Sequence, residues 1–197
     1  MDSISYNIIL NGADFQEIKY LGRILYFSSK KEKYSISLML KPVSNISNYN
    51  LTTALIKIGK FANTNCSNNA INAIISMDYQ STVNYLPYCN AGTLIVADYS
   101  KFNACNYFLA DNNSVDKKIR EKTENIFKIP VDKIINIDII RGDKGSPYIA
   151  LIGAMTAQSD LFDLDSIASI IADMSKNELE KKNGIKALIA GYDFMQK

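Results

Sequence analysis

The sequence predicts a single three-layer α/β domain spanning residues 1–197, on three observations. Short β-branched, apolar runs alternate with amphipathic helical stretches, the pattern of helices layered on a sheet. One strand–helix–strand unit has both strands apolar throughout, as strands of a parallel pair buried on both faces require. The last third of the chain is helical in periodicity. A chain of 197 residues, nearly half of them hydrophobic, buries a proper core without a second domain, and neither an internal repeat nor a linker divides it.

Taken in order, "ISYNIIL" alternates Ile4, Tyr6, Ile8 and Leu10 as a strand. Phe15, Ile18, Leu21, Gly22 and Leu25 then recur at helical spacing between Asp14 and Ser29. "YSISLMLK" alternates again through Ile36, Leu38 and Leu40; "PVSNISNYN" has the composition of a polar loop, and "LTTALIKIG" that of a strand. "ANTNCSNN", from Ala62 to Asn69, reads as an Asn-rich surface loop. "AINAIISM" and "GTLIVADY" are the two strands of the parallel unit; between them "DYQSTVNYLPYCNA" is a short helix ended by Pro87, with a turn at Gly92. "DNNSVDKKIREK" is an exposed loop or short helix, and "NIFKIPVDKIINIDII" a strand with a helical segment after Pro130. "SPYIALIGAMTAQS" predicts a buried helix with Pro147 in its first turn. "DLDSIASIIADMSKN" follows with Ile167, Ile170, Ile171 and Met174 on one face, and "NGIKALIAGYDFMQK" with Ile185, Leu188, Ile189 and Tyr192.

Composition narrows the chemistry. With 22 Lys and Arg against 20 Asp and Glu, there is no electrostatic reason to expect a nucleic acid or an anionic membrane. The sequence has no histidine, which excludes a Ser-His-Asp or Cys-His pair, a His general base and any His-ligated metal. Cys66, Cys89 and Cys105 are widely spaced and make no C-x-x-C, which argues against a zinc ribbon or an iron–sulfur cluster and for reduced thiols. "MDSISYN" lacks the basic start and apolar stretch of a signal peptide, and no apolar run approaches a membrane span. The expectation is a cytoplasmic protein.

With these elements placed, the chain resembles the gamma subunit, or gamma domain, of the 2-oxoacid:ferredoxin oxidoreductases such as pyruvate synthase. That family opens with a strand, G-x-G-G-Q-G and a helix carrying a further glycine. Here Gly12, Gln16 and Gly22 match, while Asp14, Phe15 and Glu17 stand where the motif has glycine. "INAIISMDYQSTVNYLPYCNAGTLIVAD", "ALIGAMTAQSDLFDLDSI" and "KALIAGYDF" are similar to the family's central strand–helix–strand and its last helices. The family's Arg-Gly pair before its third strand has no counterpart in "SNISNYNLTT". The resemblance implies an α/β/α domain with a mostly parallel mixed sheet. It also implies a non-catalytic subunit that supports oxidative decarboxylation of a 2-oxoacid to an acyl-CoA. Thiamine diphosphate, iron–sulfur clusters and coenzyme A would then belong with partner alpha and beta subunits, and Gly12 and Gln16 would be the residues at a cofactor loop. The rivals are a stand-alone paralogue that acts as an interaction module, a homodimer among its assemblies, and a small nucleotide- or flavin-binding α/β protein.

The altered loop has its own physics. Glycines in such a turn let backbone N–H groups approach a phosphate, aided by the helix N-terminus. Asp14 sits instead at an N-cap with Glu17 three residues on, the spacing of a capping box. Such a cap contributes about 0.5–2 kcal/mol and occupies the donors a phosphate would use. "GADFQE" therefore reads as a closed turn rather than an anion site. Asp78, Asp98 and Asp138 follow apolar runs at strand ends, where a turn or cap is the commoner role. Ser146 reads as a cap before the buried helix, since no base is in sight. The 12 tyrosines and eight phenylalanines, without clustered arginine, read as core and interface.

Overall fold

The computed structural model describes residues 5–46, 49–59, 71–100, 112–135 and 146–197. Its centre is a six-stranded sheet in the order β2-β3-β1-β4-β5-β6. The strands are β1 (Ser5–Gly12), β2 (Ser35–Ile46), β3 (Tyr49–Gly59), β4 (Ala73–Ser76), β5 (Leu94–Asp98) and β6 (Ile126–Ile129). β1, β4, β5 and β6 run parallel, whereas β3 is antiparallel to both β1 and β2. This is the mixed, mostly parallel sheet that the sequence predicts.

In the inner strands of the sheet both faces are apolar, and the two-residue strand period divides them. Ile8 and Leu10, Ala73 and Ile75, and Leu94 and Val96 pack on one face, while Ile9, Ile74, Ile95 and Ala97 pack on the other. Each face then needs a cover. The first carries α1 (Phe15–Lys31), α4 (Ile149–Ala157), α5 (Leu164–Met174) and α6 (Glu178–Phe194). The second carries a 3-10 helix (Gln80–Tyr88) and α2 (Asn112–Arg120), through Leu86 and Ile119. A short α3 (Val131–Ile134) follows β6 directly after Pro130, as expected.

Where α4 is buried on all sides, from Ile149 to Thr156, α6 must lie close over it. Two glycines make this approach. A Cβ at Gly153 would lie 2.0 Å from the Leu188 carbonyl oxygen, and one at Gly191 would lie 1.9 Å from that of Ala150. The helices meet backbone to backbone there, closer than any side chain permits.

Four local expectations are corrected. "PVSNISNYN" is not a loop, because β2 runs on to Ile46 and β3 begins at Tyr49, paired through Val43↔Leu51 and Ile46↔Tyr49 with a register shift between. β2 is an edge strand, where a proline and polar residues are tolerated because one side of the ladder needs no partner. The helix before β5 is 3-10, and Pro87 lies within it rather than ending it. The final helix starts at Glu178, ahead of the periodic stretch, because the Asn177 side chain accepts from the Glu180 N–H. Pro147 lies in the turn before α4, where the Ser146 hydroxyl accepts from the Tyr148 N–H at 3.2 Å, close to the cap role expected of it. The Asn-rich stretch, Cys66, Cys105 and Asp138 lie outside the described residues.

α1 ends without glycine. Lys33 has φ 62°, the Lys33 N–H donates to Lys30 O at 3.0 Å, and the Tyr34 N–H donates to Ser29 O at 2.9 Å. This is a Schellman closure with a lysine in the left-handed position.

Two substitutions test these features. Gly191→Ala is expected to destabilise by about 3 kcal/mol, read as a shifted urea midpoint, because α6 must lift off α4. Lys33→Gly is expected to stabilise by about 0.5–1 kcal/mol by relieving the left-handed strain, read as a rise in Tm.

Candidate functional site

The parallel strands β1, β4, β5 and β6 present their carboxyl ends along one edge, the place where open α/β sheets hold ligands. At the head of this edge is the β1–α1 turn. Gly12 is buried, and Ala13, Asp14, Phe15 and Gln16 are exposed. The Asp14 carboxylate Oδ1 accepts from the Gln16 N–H at 2.8 Å and the Glu17 N–H at 3.1 Å, while the Ile18 N–H donates to Asp14 O at 3.0 Å. Two of the first-turn donors, the Gln16 and Glu17 N–H groups, are therefore held by a carboxylate that stands at the positive end of the helix.

Gly12 has a second constraint. A Cβ there would fall 2.7 Å from the Met77 sulfur and 3.0 Å from the Met77 Cβ. The glycine thus makes room for a methionine, itself buried, that follows β4 and donates its N–H to Asn11 O at 2.9 Å. In this turn, the close backbone approach at Gly12 accommodates the Met77 side chain.

Glu17 turns inward. Its negative charge, with that of Glu180, adds to burial in pushing the Tyr20 hydroxyl up to about 12.

Behind the turn is a buried polar lattice that joins β1 to the start of the 3-10 helix. Asn11 Nδ2 donates to Ser81 Oγ at 2.8 Å, and Ser81 Oγ in turn donates to Asp78 O at 2.7 Å. Ser76 Oγ donates to the same carbonyl. Asn11 Oδ1 and Thr82 Oγ1 are buried with no hydrogen-bond partner among the described residues. Farther along, Asp98 accepts from the Ser100 N–H at 2.9 Å and from its hydroxyl, the local turn that a strand-end aspartate was expected to make.

A third cluster closes the far side of the edge. Lys128, from β6, reaches both carboxylate oxygens of Asp116 on α2 at 2.7 Å, and Tyr79 donates its hydroxyl to the same carboxylate. The Lys128 ammonium also lies 5.0 Å from the Tyr79 ring centroid and 5.1 Å from that of Tyr99. Burial of Asp116 opposes its ionisation, but the hydrogen bonds from Lys128 and Tyr79 and the charges of Lys128 and Arg120 outweigh it. They hold the carboxyl below its ordinary range. Burial, reinforced by the hydrogen bond to Asp116, pushes the Tyr79 hydroxyl up. The cluster consumes its own charges and ties α2, β6 and the 3-10 helix together.

The structure thus brings Gly12, Asp14, Gln16 and Glu17 together in one turn, as their spacing requires, and places Asp78 and Asp98 on the same edge. Sequence reasoning missed the Asn11–Ser81 bond, made across 70 residues, and the Lys128–Asp116–Tyr79 network. Neither has a local spacing that would reveal it. Among the described residues no group of three or more His, Cys, Asp or Glu side chains is arranged to hold a metal ion.

Comparison with known proteins agrees with this architecture. The family described as pyruvate ferredoxin/flavodoxin oxidoreductase matches residues 22–194, a stretch that begins at Gly22, beyond the β1–α1 turn. No curated protein sequence matches the chain. Among solved structures, a pyruvate oxidoreductase subunit from Thermotoga maritima superimposes with a TM-score of 0.64 at 16% identity, covering 96% of each chain. The gamma subunit of a keto/oxoacid ferredoxin oxidoreductase from Geobacter sulfurreducens gives 0.70 at 14%, covering 97% of this chain and 98% of that one. A 2-oxoglutarate:ferredoxin oxidoreductase from Magnetococcus marinus, solved with 2-oxoglutarate, coenzyme A and succinyl-CoA bound, gives 0.70 at 12%. All of this chain superimposes on 31% of that longer one. At such identities the agreement is one of fold.

Asp116→Asn is expected to lower stability at pH 7 by about 1 kcal/mol, the scale of a partly exposed, hydrogen-bonded ion pair. Because the folded carboxyl is held below its unfolded value of about 3.9, its contribution is full above that pH and fades as pH falls through the folded value. Urea unfolding at pH 7 and pH 3 should show the wild-type advantage shrinking on acidification.

Proposed function

The chain belongs to the pyruvate ferredoxin/flavodoxin oxidoreductase family, and from that premise we propose that it is a gamma-type subunit of a 2-oxoacid:ferredoxin oxidoreductase, without catalytic residues of its own. The observation that carries this reading is the family match over residues 22–194. The chemistry of the chain supports the same division of labour. It has no histidine, and a carboxylate cap holds the Gln16 and Glu17 N–H groups of the β1–α1 glycine turn. Oxidative decarboxylation of the 2-oxoacid to an acyl-CoA would be done with alpha and beta subunits that hold thiamine diphosphate, iron–sulfur clusters and coenzyme A. Residues 1–197 would act as one domain packed against those subunits in the cytoplasm. Among the described residues no helix is long and apolar enough to cross a membrane.

Gly12 and Gln16, on this reading, are not coenzyme A ligands. Asp14 already occupies the Gln16 and Glu17 N–H groups, and a phosphate would meet its charge at about 3 Å, the reach of those shared donors. The same observation favours a second reading, a stand-alone paralogue that kept the fold and left the complex.

One experiment separates the two. The tagged chain is recovered from its native cells at low salt, and its companions are identified by mass spectrometry with iron and thiamine diphosphate assayed in the eluate. Stoichiometric recovery of the thiamine- and cluster-bearing subunits is the result expected; the bare chain would favour the paralogue. Titration calorimetry of the isolated chain with coenzyme A should show no saturable heat. Tight binding abolished by Gln16→Ala would overturn the closed-turn assignment.

A further inference from the structure

The outer face of α1 carries a ridge of one sign. Phe15, Lys19, Arg23 and Phe27 follow one another at i, i+4, so they form a single inclined row, with Lys30 and Lys31 extending it. The opposite face of the helix, Ile18, Leu21, Gly22 and Leu25, is buried against the sheet. All six ridge residues are exposed, and the two phenylalanines are 43% and 38% accessible.

Among the described residues, Lys19, Arg23, Lys30 and Lys31 form no ion pair with a carboxylate. Two of them lie on rings instead: the Arg23 guanidinium is 5.8 Å from the Phe27 centroid, and the Lys30 ammonium is 5.8 Å from that of Tyr26. Tyr26 and Phe27 meet edge to face at 5.4 Å, which braces the rings against each other. Meanwhile the carboxylate within the helix, Glu17, is turned towards Tyr20. Lys19, Arg23, Lys30 and Lys31 against Glu17 leave α1 with a formal charge of +3, set in a chain whose total is +2. Ordinary solvated faces intersperse both signs.

We propose that this ridge docks an acidic surface on a partner protein subunit, with carboxylates opposite Lys19, Arg23 and Lys30 and two apolar recesses for Phe15 and Phe27. The recesses would lie about 18 Å apart, from a rise of about 1.5 Å per residue along the helix. Exposed aromatics beside an arginine are the residue types that anchor protein interfaces. The neighbouring helix favours a protein over a nucleic acid. α5 packs against α1 and exposes Asp163, Asp165 and Asp173, acids that would repel a phosphate backbone but that a folded surface accommodates residue by residue. The proposal rests on the reading of the chain as a complex subunit.

The test uses the native complex. Tagged wild-type chain, Lys19→Glu/Arg23→Glu, Phe15→Ala/Phe27→Ala and, as a control on α6, Lys182→Glu/Lys186→Glu are each recovered from the native cells after nuclease treatment, over a series of salt concentrations. The expected result is at least a tenfold loss of the thiamine- and cluster-bearing subunits for both ridge variants, unchanged recovery for the α6 control, and wild-type recovery that falls as salt rises. Equal melting temperatures show that the exposed substitutions leave the fold intact, and Lys19→Ala/Arg23→Ala repeats the test should the double reversal fold poorly. Ridge variants that keep the partner subunits at the wild-type salt dependence would overturn the ridge while leaving the subunit assignment standing. Wild-type chain recovered without those subunits would overturn both. Tight binding of a labelled 20-base-pair DNA duplex, lost in the Lys19→Glu/Arg23→Glu variant, would replace the protein partner with a nucleic acid.

Discussion

Strands β4 and β5 are buried on both faces, and strands with no wet face have to be roofed twice. Most of the architecture follows from that constraint. On one side the roof is thick, because α4 is itself apolar all round and needs α6 and α5 outside it. On the other side it is thin, a 3-10 helix and α2 with a smaller cluster around Ile74, Ile95 and Ile119. The close crossing of α4 and α6 at Gly153 and Gly191 lets the thick layer fit without gaps.

The parallel arrangement also decides where polar groups gather. Four strands deliver their carboxyl ends to one edge, so backbone and side-chain polar atoms from distant segments meet there. Here many of these atoms pair with one another: Asp14 caps α1, Asn11 Nδ2 holds Ser81, Asp98 closes its own turn, and Asp116 holds Lys128 and Tyr79, while Asn11 Oδ1 and Thr82 Oγ1 have no partner among the described residues. Among the described residues, the edge is held together by these hydrogen bonds.

Charge on this molecule is likewise sorted by what lies beneath it. At the strand-end edge Asp116 is hydrogen-bonded to Lys128, whereas on the α1 ridge Arg23 and Lys30 lie against aromatic rings, where they remain available to a second surface. A balanced overall composition hides this separation, since helix α1 is rich in lysine and its neighbour α5 in aspartate.

Periodicity alone determined most of the fold. Ile8 and Leu10, the apolar β4 and β5 runs, the α1 face and the two apolar stretches of the C-terminal helices all follow from a period of two or 3.6, because burying such a face leaves few alternatives. The Asp14 cap was equally legible, since a cap is made by residues two and three positions away. Three features were decided by tertiary structure. Within the polar "PVSNISNYN", Pro42–Ile46 extends β2 and Tyr49 opens β3 because the two strands are held by backbone bonds, to which side-chain polarity is no guide. Gly12 is required by Met77, which follows a different strand, and Asn11 meets Ser81 across 70 residues. Such contacts carry no local signature, because they depend on which strand ends the sheet places side by side.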